Sequence, residues 1–404
     1  MNNIGEMKNK TILFLQGPMG GFFKRLDHQF SQEGALTYKI GFNAGDSFFS
    51  AKNNYIPYRG TKKSWGNYIH NFLLENSIDK IFLFGDCRFY QRVAIEKSKK
   101  LNIEIFVFEE GYIRPDFITL ERYGVNDFSH VPRDRKFYDL LDISQFKEKK
   151  IYNVNTNYYR IGWSAAIYYI LASLFWFRYP HYEHHRKLNF VTEAFYATRN
   201  AVRKYKYKFT ERKLLAKILE QYKNNYYFVP LQTYDDFQVK EHSSFFSMES
   251  FIEIVMRSFA NFAPAETQLV IKHHPMDRGR KDYTEWIKRL SAELEIEDRV
   301  ISMHDLHLPS CLKNTIGTIT INSTVGTSSL YHHAPTLVLG NAIYDIEGLT
   351  CQNMSLDKFW KEYKVPEEEL FKKFRGYLIE NTQLNGSFYG RFPDELRRLP
   401  KEKP

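Results

Sequence analysis

Cysteine is scarce in this 404-residue chain: Cys87, Cys311 and Cys351 are odd in number and far apart. No disulfide framework and no zinc spacing can be built from them, so a reducing cytoplasm is the expected setting. The first apolar run, Thr11 to Leu15, is too short for a signal-peptide core, and the chain is expected not to be secreted. No D-x-D triplet, internal repeat or low-complexity segment occurs. The early glycines of Gln16-Gly17-Pro18-Met19-Gly20-Gly21 do not fit G-x-G-x-x-G, which excludes a nicotinamide enzyme. Long runs that are both uncharged and strongly apolar are also lacking, with one exception. Ile161 to Phe177 carries no charge over 17 residues between Arg160 and Arg178, the lower limit for a membrane span. With Gly162, Ser164 and Ser173 inside it, the run reads first as a buried helix, next as an interfacial membrane-docking helix, and least as a span.

What is abundant is aromatic and basic. The chain has 34 Phe and 28 Tyr, usage that suits half-buried surfaces, sugar-stacking pockets or membrane contact. A formal charge of +10 calls for an anionic partner. Nucleic acid would satisfy it, yet no RNP, helix-turn-helix or zinc motif is present, and none is expected to bind. The basic run Arg203 to Lys208 reads as a solvated helix face or as a contact with anionic headgroups.

Short apolar strands alternate with polar helical stretches through residues 1–150: Lys10 to Leu15, Ala35 to Phe42, Lys80 to Phe84 and Ile103 to Phe108. Each ends in glycine and polar residues, which predicts a parallel sheet with a site at its carboxyl edge. Residues 151–222 read as a helical, basic segment that can face a membrane. A second α/β series occupies 223–365, with strands at Tyr226 to Leu231, Gln268 to Lys272, Arg299 to Met303, Thr315 to Ile321 and Pro335 to Leu339. Residues 366–404 read as a helical tail. Two Rossmann-like α/β domains facing each other across a cleft, a GT-B-like architecture, is the expected fold class.

Three segments carry chemistry. After Phe108 come Glu109, Glu110 and Gly111, leaving two carboxylates at a sheet edge beside Arg114. Acids next to a fixed Arg suit an anionic substrate, although a solvated strand end with a surface ion pair accounts for the same residues. Lys272-His273-His274-Pro275 ends a strand, and a cation there can donate to a phosphate or protonate a leaving one. Adjacent His residues in a strand face opposite ways, and His274 is the one expected to reach a ligand. Metal ligation is not expected, because neither H-x-x-x-H spacing nor a nearby carboxylate pair accompanies them. In Asn322-Ser323-Thr324-Val325-Gly326, Ser323 is a good N-cap, and free N–H groups, two hydroxyls and Gly326 outline an anion cradle. An ordinary capped helix is the plainer reading.

The segments QGPMGGFF, FGDCR, FEEGYIRPDFITLERYGVN, YPHYEHHR, FVPLQ, KHHP, INSTVG and LGNAIYDIEGLT, spread in order over residues 12–350, resemble the capsular-polysaccharide β-Kdo transferases of the KpsS type. The resemblance implies a GT-B enzyme peripheral to the cytoplasmic face of an inner membrane. Such an enzyme transfers Kdo from CMP-Kdo to (lyso)phosphatidylglycerol to begin the capsule linker, alongside other capsule biosynthesis and export proteins. It also implies roles: Glu110 as catalytic carboxylate, either nucleophile or base, and His274 facing the CMP phosphate. Lys272, Ser323, Thr324, Gly326 and Gln232 would hold the donor. Arg88, Arg114, Gly17 and Gly20 fall to the sugar or acceptor side, and Tyr182 to Arg186 can line it. A CMP-sugar carries one phosphate, so no metal or other cofactor is expected. Another CMP-sugar transferase of the sialyl type, or a non-catalytic export component, are the alternative readings.

Overall fold

The computed structural model describes residues 4–51, 54–146, 150–154, 158–184, 190–236, 239 and 243–396. The chain divides into two compact units: Met1–His130 with Phe146–Glu193 and Tyr377–Pro404, and Val131–Gln145 with Ala194–Gly376. Both are α/β, as the alternating strands predict.

The first unit holds β1 (Thr11–Leu15), β2 (Leu36–Gly41), β3 (Tyr55–Pro57), β4 (Lys80–Phe84), β5 (Glu104–Glu110) and β6 (Phe117–Arg122). The order β3-β2-β1-β4-β5 is parallel throughout, and β6 returns antiparallel to β5. Alternate residues of these strands fall into two separate cores, one on each sheet face. Leu13, Leu15, Ile81, Leu83, Ile105 and Val107 enter one; Ile12, Phe14, Phe82, Phe106 and Phe108 enter the other. Against the second face the helix Phe22–Gln32 buries Phe22, Phe23, Leu26 and Phe30, and Phe22 meets Phe108 edge-on at 5.3 Å. Much of the phenylalanine excess is therefore core packing rather than surface.

The second unit holds β7 (Tyr226–Pro230), β8 (Gln268–Lys272), β9 (Val300–Met303), β10 (Gly317–Thr320) and β11 (Thr336–Val338), parallel in the order β11-β10-β7-β8-β9. Its helix Met248–Phe262 starts in a Ser247–Ser250 capping box and buries Phe251, Ile252, Val255, Met256 and Phe259.

Three expectations need correction. The C-terminal segment is not simply a helical tail: the helix Glu368–Asn381 leads into β12 (Gln383–Asn385), which pairs antiparallel with β6. Pairing there covers the edge that β6 would otherwise expose. Residues 151–222 are not one segment either, since 151–193 belong to the first unit and 194–222 to the second. The uncharged run is likewise not a buried helix. Helix Tyr158–Leu174 sinks Tyr168 and Ala172 but leaves Trp163 and Leu174 exposed, as are Trp176 and Phe177 beyond it. Among the described residues, no helix is long and apolar enough to cross a membrane.

Candidate functional site

In a doubly wound sheet the connections from the two central strands leave in opposite directions, opening a crevice at their carboxyl ends. In the first unit those strands are β1 and β4. A cavity of about 140 Å³ lies there, lined by Gln16, Gly17, Pro18 and Met19 after β1, Phe84 and Arg88 at the end of β4, and Tyr168, Tyr169, His184 and Tyr389. Beside it, Asp46 is buried. Its Oδ2 accepts from the Phe42 amide (2.9 Å), Gln16 Nε2 (3.1 Å) and Asn43 Nδ2 (3.2 Å), and its Oδ1 from the Tyr168 hydroxyl (3.2 Å). Burial raises the Asp46 pKa against those donors and the nearby Lys39 charge. Burial also lowers Lys39 to about 8. The Gln16 amide donates as well to the Tyr168 and Tyr182 hydroxyls, so a fixed polar wall stands behind the cavity.

The two acids of β5 point to different surroundings, as alternation requires. Glu109 is half-buried, and its Oε1 accepts the Glu110 amide at 3.0 Å. Burial lifts its pKa to about 7, helped by the charges of Glu110 and Asp86 and opposed by Arg88. Glu110 is exposed, and its charge helps raise the Tyr389 hydroxyl, after burial, while Arg88 opposes. Both carboxylates thus act on groups that line the cavity or flank it. Gly111 follows because a Cβ there would collide with the Phe117 carbonyl, where β6 folds back. Arg114 is exposed and donates from Nε to the Gly111 carbonyl (3.2 Å), which holds it over its own turn rather than in the cavity lining. Gly17 lies against the Phe23 ring, while Gly20 has an open flank toward Tyr389 and Ser164.

In the second unit the corresponding central strands are β7 and β10, and Gln232 joins the loops that follow them. Its Nε2 donates to Asn322 Oδ1 (2.9 Å) and Asp236 Oδ2 (3.2 Å), and its Oε1 accepts the Asn322 amide (3.2 Å). Lys272 ends β8. Burial, with repulsion from Arg278, lowers its pKa to about 8, and its Nζ donates to the His273 carbonyl at 3.2 Å. The two histidines do face opposite ways. His273 is buried on Ser302 (2.8 Å), whereas half-buried His274 accepts the Met276 amide on Nδ1 (3.2 Å). Ser323 Oγ accepts the Val325 amide (3.2 Å) just ahead of the short helix Val325–Tyr331, whose N-cap is Thr324 rather than the expected Ser323. Gly326 differs from expectation. A Cβ there would strike Tyr344, whose hydroxyl donates to the Ser323 carbonyl at 2.5 Å. This glycine makes room for a buried tyrosine instead of a ligand.

A cluster unforeseen in the sequence lies behind this edge. His304 is held between Glu211 (Nδ1, 2.9 Å) and Asp282 (Nε2, 3.4 Å), and Glu211 also accepts the His304 and Asp305 amides. Burial disfavours a charged ring, but Asp282 and Glu211 outweigh it and raise the His304 pKa. Burial and the His304 charge push His273 the other way, to about 3. Ligating atoms of His273, Asp282 and His304 lie within 4.8 Å of one another. The two imidazoles stack at 4.1 Å, however, so their in-plane lone pairs do not converge as a metal requires. The cluster works as an ion-paired clamp.

Residues 79–389 match the model of the capsule polysaccharide biosynthesis proteins. The chain belongs to that family. It is 40% identical over 384 residues to the capsule polysaccharide export protein KpsS of Escherichia coli, covering 95% of this chain and 98% of that one. It is 38% identical over 394 residues to the capsule polysaccharide modification protein LipB of Neisseria meningitidis serogroup A, covering 96% and 94%. Among solved structures, the β-Kdo 2,7-transferase of Thermosulfurimonas dismutans KpsC aligns over 91% of this chain and 89% of that one, with TM-score 0.42 and 11% identity.

In this capsule polysaccharide biosynthesis protein, the sequence motifs point to Glu110, Arg88, Gly17, Lys272, His274 and Gln232 at strand ends. They do not point to Asp46, Tyr168 or Tyr389. Asp46 had a signal, because Asn43-Ala44-Gly45-Asp46 also ends a strand. The tyrosines had none, since they arrive from sequence positions remote from the motifs they join. Of the stretch Tyr182 to Arg186, His184 lines the cavity, while His185 and Arg186 lie outside the described residues.

Proposed function

We propose that the chain is a glycosyltransferase that moves Kdo from CMP-Kdo to a (lyso)phosphatidylglycerol acceptor at the inner-membrane surface, starting a capsule linker. The observation that carries this reading is that Glu109 and Glu110 end β5 beside the crevice between β1 and β4, near enough to act electrostatically with Arg88 and Tyr389 of the cavity lining. Carboxylates beside a guanidinium suit an acidic sugar, whose own carboxylate Arg88 can take in a forked contact. In the reaction the bond from the anomeric carbon to the phosphate oxygen breaks, and its electron pair leaves with CMP. A bond to the acceptor hydroxyl replaces it, and that hydroxyl's proton passes to a carboxylate. Glu110 either attacks the anomeric carbon first or takes that proton directly.

In the second unit Lys272 and His274 would meet the CMP phosphate, with Gln232, Ser323 and Thr324 around it. The half-desolvated ammonium of Lys272 gains most when an anion arrives. A single-phosphate leaving group needs no divalent ion, so activity should survive chelation; loss restored by magnesium or manganese would overturn that part. The decisive assay incubates the purified chain with CMP-Kdo and fluorescent phosphatidylglycerol and seeks addition of one Kdo by mass spectrometry. Transfer from a CMP-sialic acid instead would favour the sialyl-type alternative. Absence of CMP release with any lipid acceptor would defeat the proposal, and unchanged capsule export by Glu110→Gln would favour a non-catalytic component.

A further inference from the structure

Helix Tyr158–Leu174 has two apolar sides but only one is covered. Tyr168 and Ala172 are sunk into the first unit. Tyr159, Trp163, Ile167, Ile170 and Leu174 recur at intervals of three and four, one stripe on the other side. At its ends the stripe is bare: Tyr159 is 85% exposed, Trp163 70% and Leu174 64%. The turn Trp176–Arg178 continues it, with Trp176 66% and Phe177 60% exposed. Soluble surfaces seldom present such a contiguous set, whereas a bilayer interface favours Trp and Phe flanked by Arg.

We propose that this stripe and the aromatic turn lie in the headgroup–acyl boundary of an anionic bilayer. Charge selects the occupant. Arg160 and Arg178 bracket the stripe, and no Asp or Glu occurs from Tyr158 to Tyr182. The Arg178 guanidinium stays 6.0 Å from the Phe175 ring, so cation and aromatics share one tip. A two-fold contact between copies would set this uniformly basic patch against itself. Phosphatidylglycerol headgroups complement it. The helix also explains why contact would help. Tyr168 and Tyr169, on sides turned away from the stripe, line the first unit's cavity, so that cavity lies about one helix diameter, roughly 10 Å, from the lipid face. The bilayer contact stands on exposure and charge; that the same bilayer delivers the acceptor rests on the proposed function.

The test is sedimentation of the full chain with phosphatidylcholine vesicles with and without phosphatidylglycerol. The native chain should bind the anionic vesicles. Trp176→Asp with Phe177→Asp, and separately Trp163→Asp, should weaken binding at least about tenfold with an unchanged melting temperature. These variants should still transfer sugar to a water-soluble short-chain phosphatidylglycerol. No binding by the native chain, equal binding by folded variants, or a dimer that the variants abolish would overturn the inference. Vesicle binding without any transfer would leave it standing while removing the proposed function.

Discussion

Replacing Glu109 by Gln tests the crevice through its electrostatics, without needing a substrate. The Glu109 carboxyl titrates at about 7 in the folded chain against 4.5 for the free group, chiefly because it is buried. Between those values the folded state keeps a proton that the unfolded chain has released, so stability falls as pH rises through that window. Each pKa unit corresponds to about 1.4 kcal/mol, which makes the full penalty at most about 3.5 kcal/mol. Glu109 still meets some water, so about 2 kcal/mol is the expected size. Gln keeps the oxygen that accepts the Glu110 amide and carries no charge to desolvate. Urea unfolding of both proteins across pH 5 to 8.5 should therefore show near-equal stability at the acid end. The variant should gain steadily until it leads by about 2 kcal/mol above about pH 8. A pH-independent difference, or a variant less stable at the alkaline end, would refute the claim that Glu109 is held in a desolvated, acid-flanked position.

Lys272→Met should weaken CMP-sugar binding at least about tenfold, and native donor affinity should decline above about pH 8 as the ammonium is lost. Isothermal titration across that range checks it, and a variant that keeps the alkaline limb would assign the limb elsewhere. Glu211→Ala should cost about 3 kcal/mol, because the His304 and Asp305 amides lose their acceptor along with the imidazolium. In the native chain the His304 contribution is complete below the unfolded pKa of 6.5 and fades as pH rises through its raised folded value, a trend that should be weaker in thermal melts of the variant, where Asp282 alone still faces the ring. Gly326→Ala should cost about 1–3 kcal/mol by displacing Tyr344, and adding Tyr344→Phe should recover part of it. Full stability of the single variant would show that the tyrosine moves freely.

The sequence alone determined the two α/β units and most strand ends, because apolar runs punctuated by glycine and polar residues state a parallel sheet locally. It also separated the duties of neighbours. Alternation puts Glu109 and Glu110, and His273 and His274, on opposite sides whatever the surroundings. What alternation cannot say is what each side faces. That Glu109 sits among Asp86, Glu110 and Arg88 follows from the order of β4 and β5 in the sheet. The hydrogen bonds of Tyr168 to Asp46 and Asn43 join residues more than a hundred positions apart, and no local pattern encodes them. The glycine of the second-unit loop suits a ligand by sequence alone, and only the fold sets the Tyr344 ring against it. The uncharged helix shows the same division most plainly. Its sequence is apolar all round, so composition cannot distinguish a covered side from a bare one. Only the fold, by covering Tyr168 and Ala172 and leaving Trp163 and Leu174 in the open, decided which side remained for a partner.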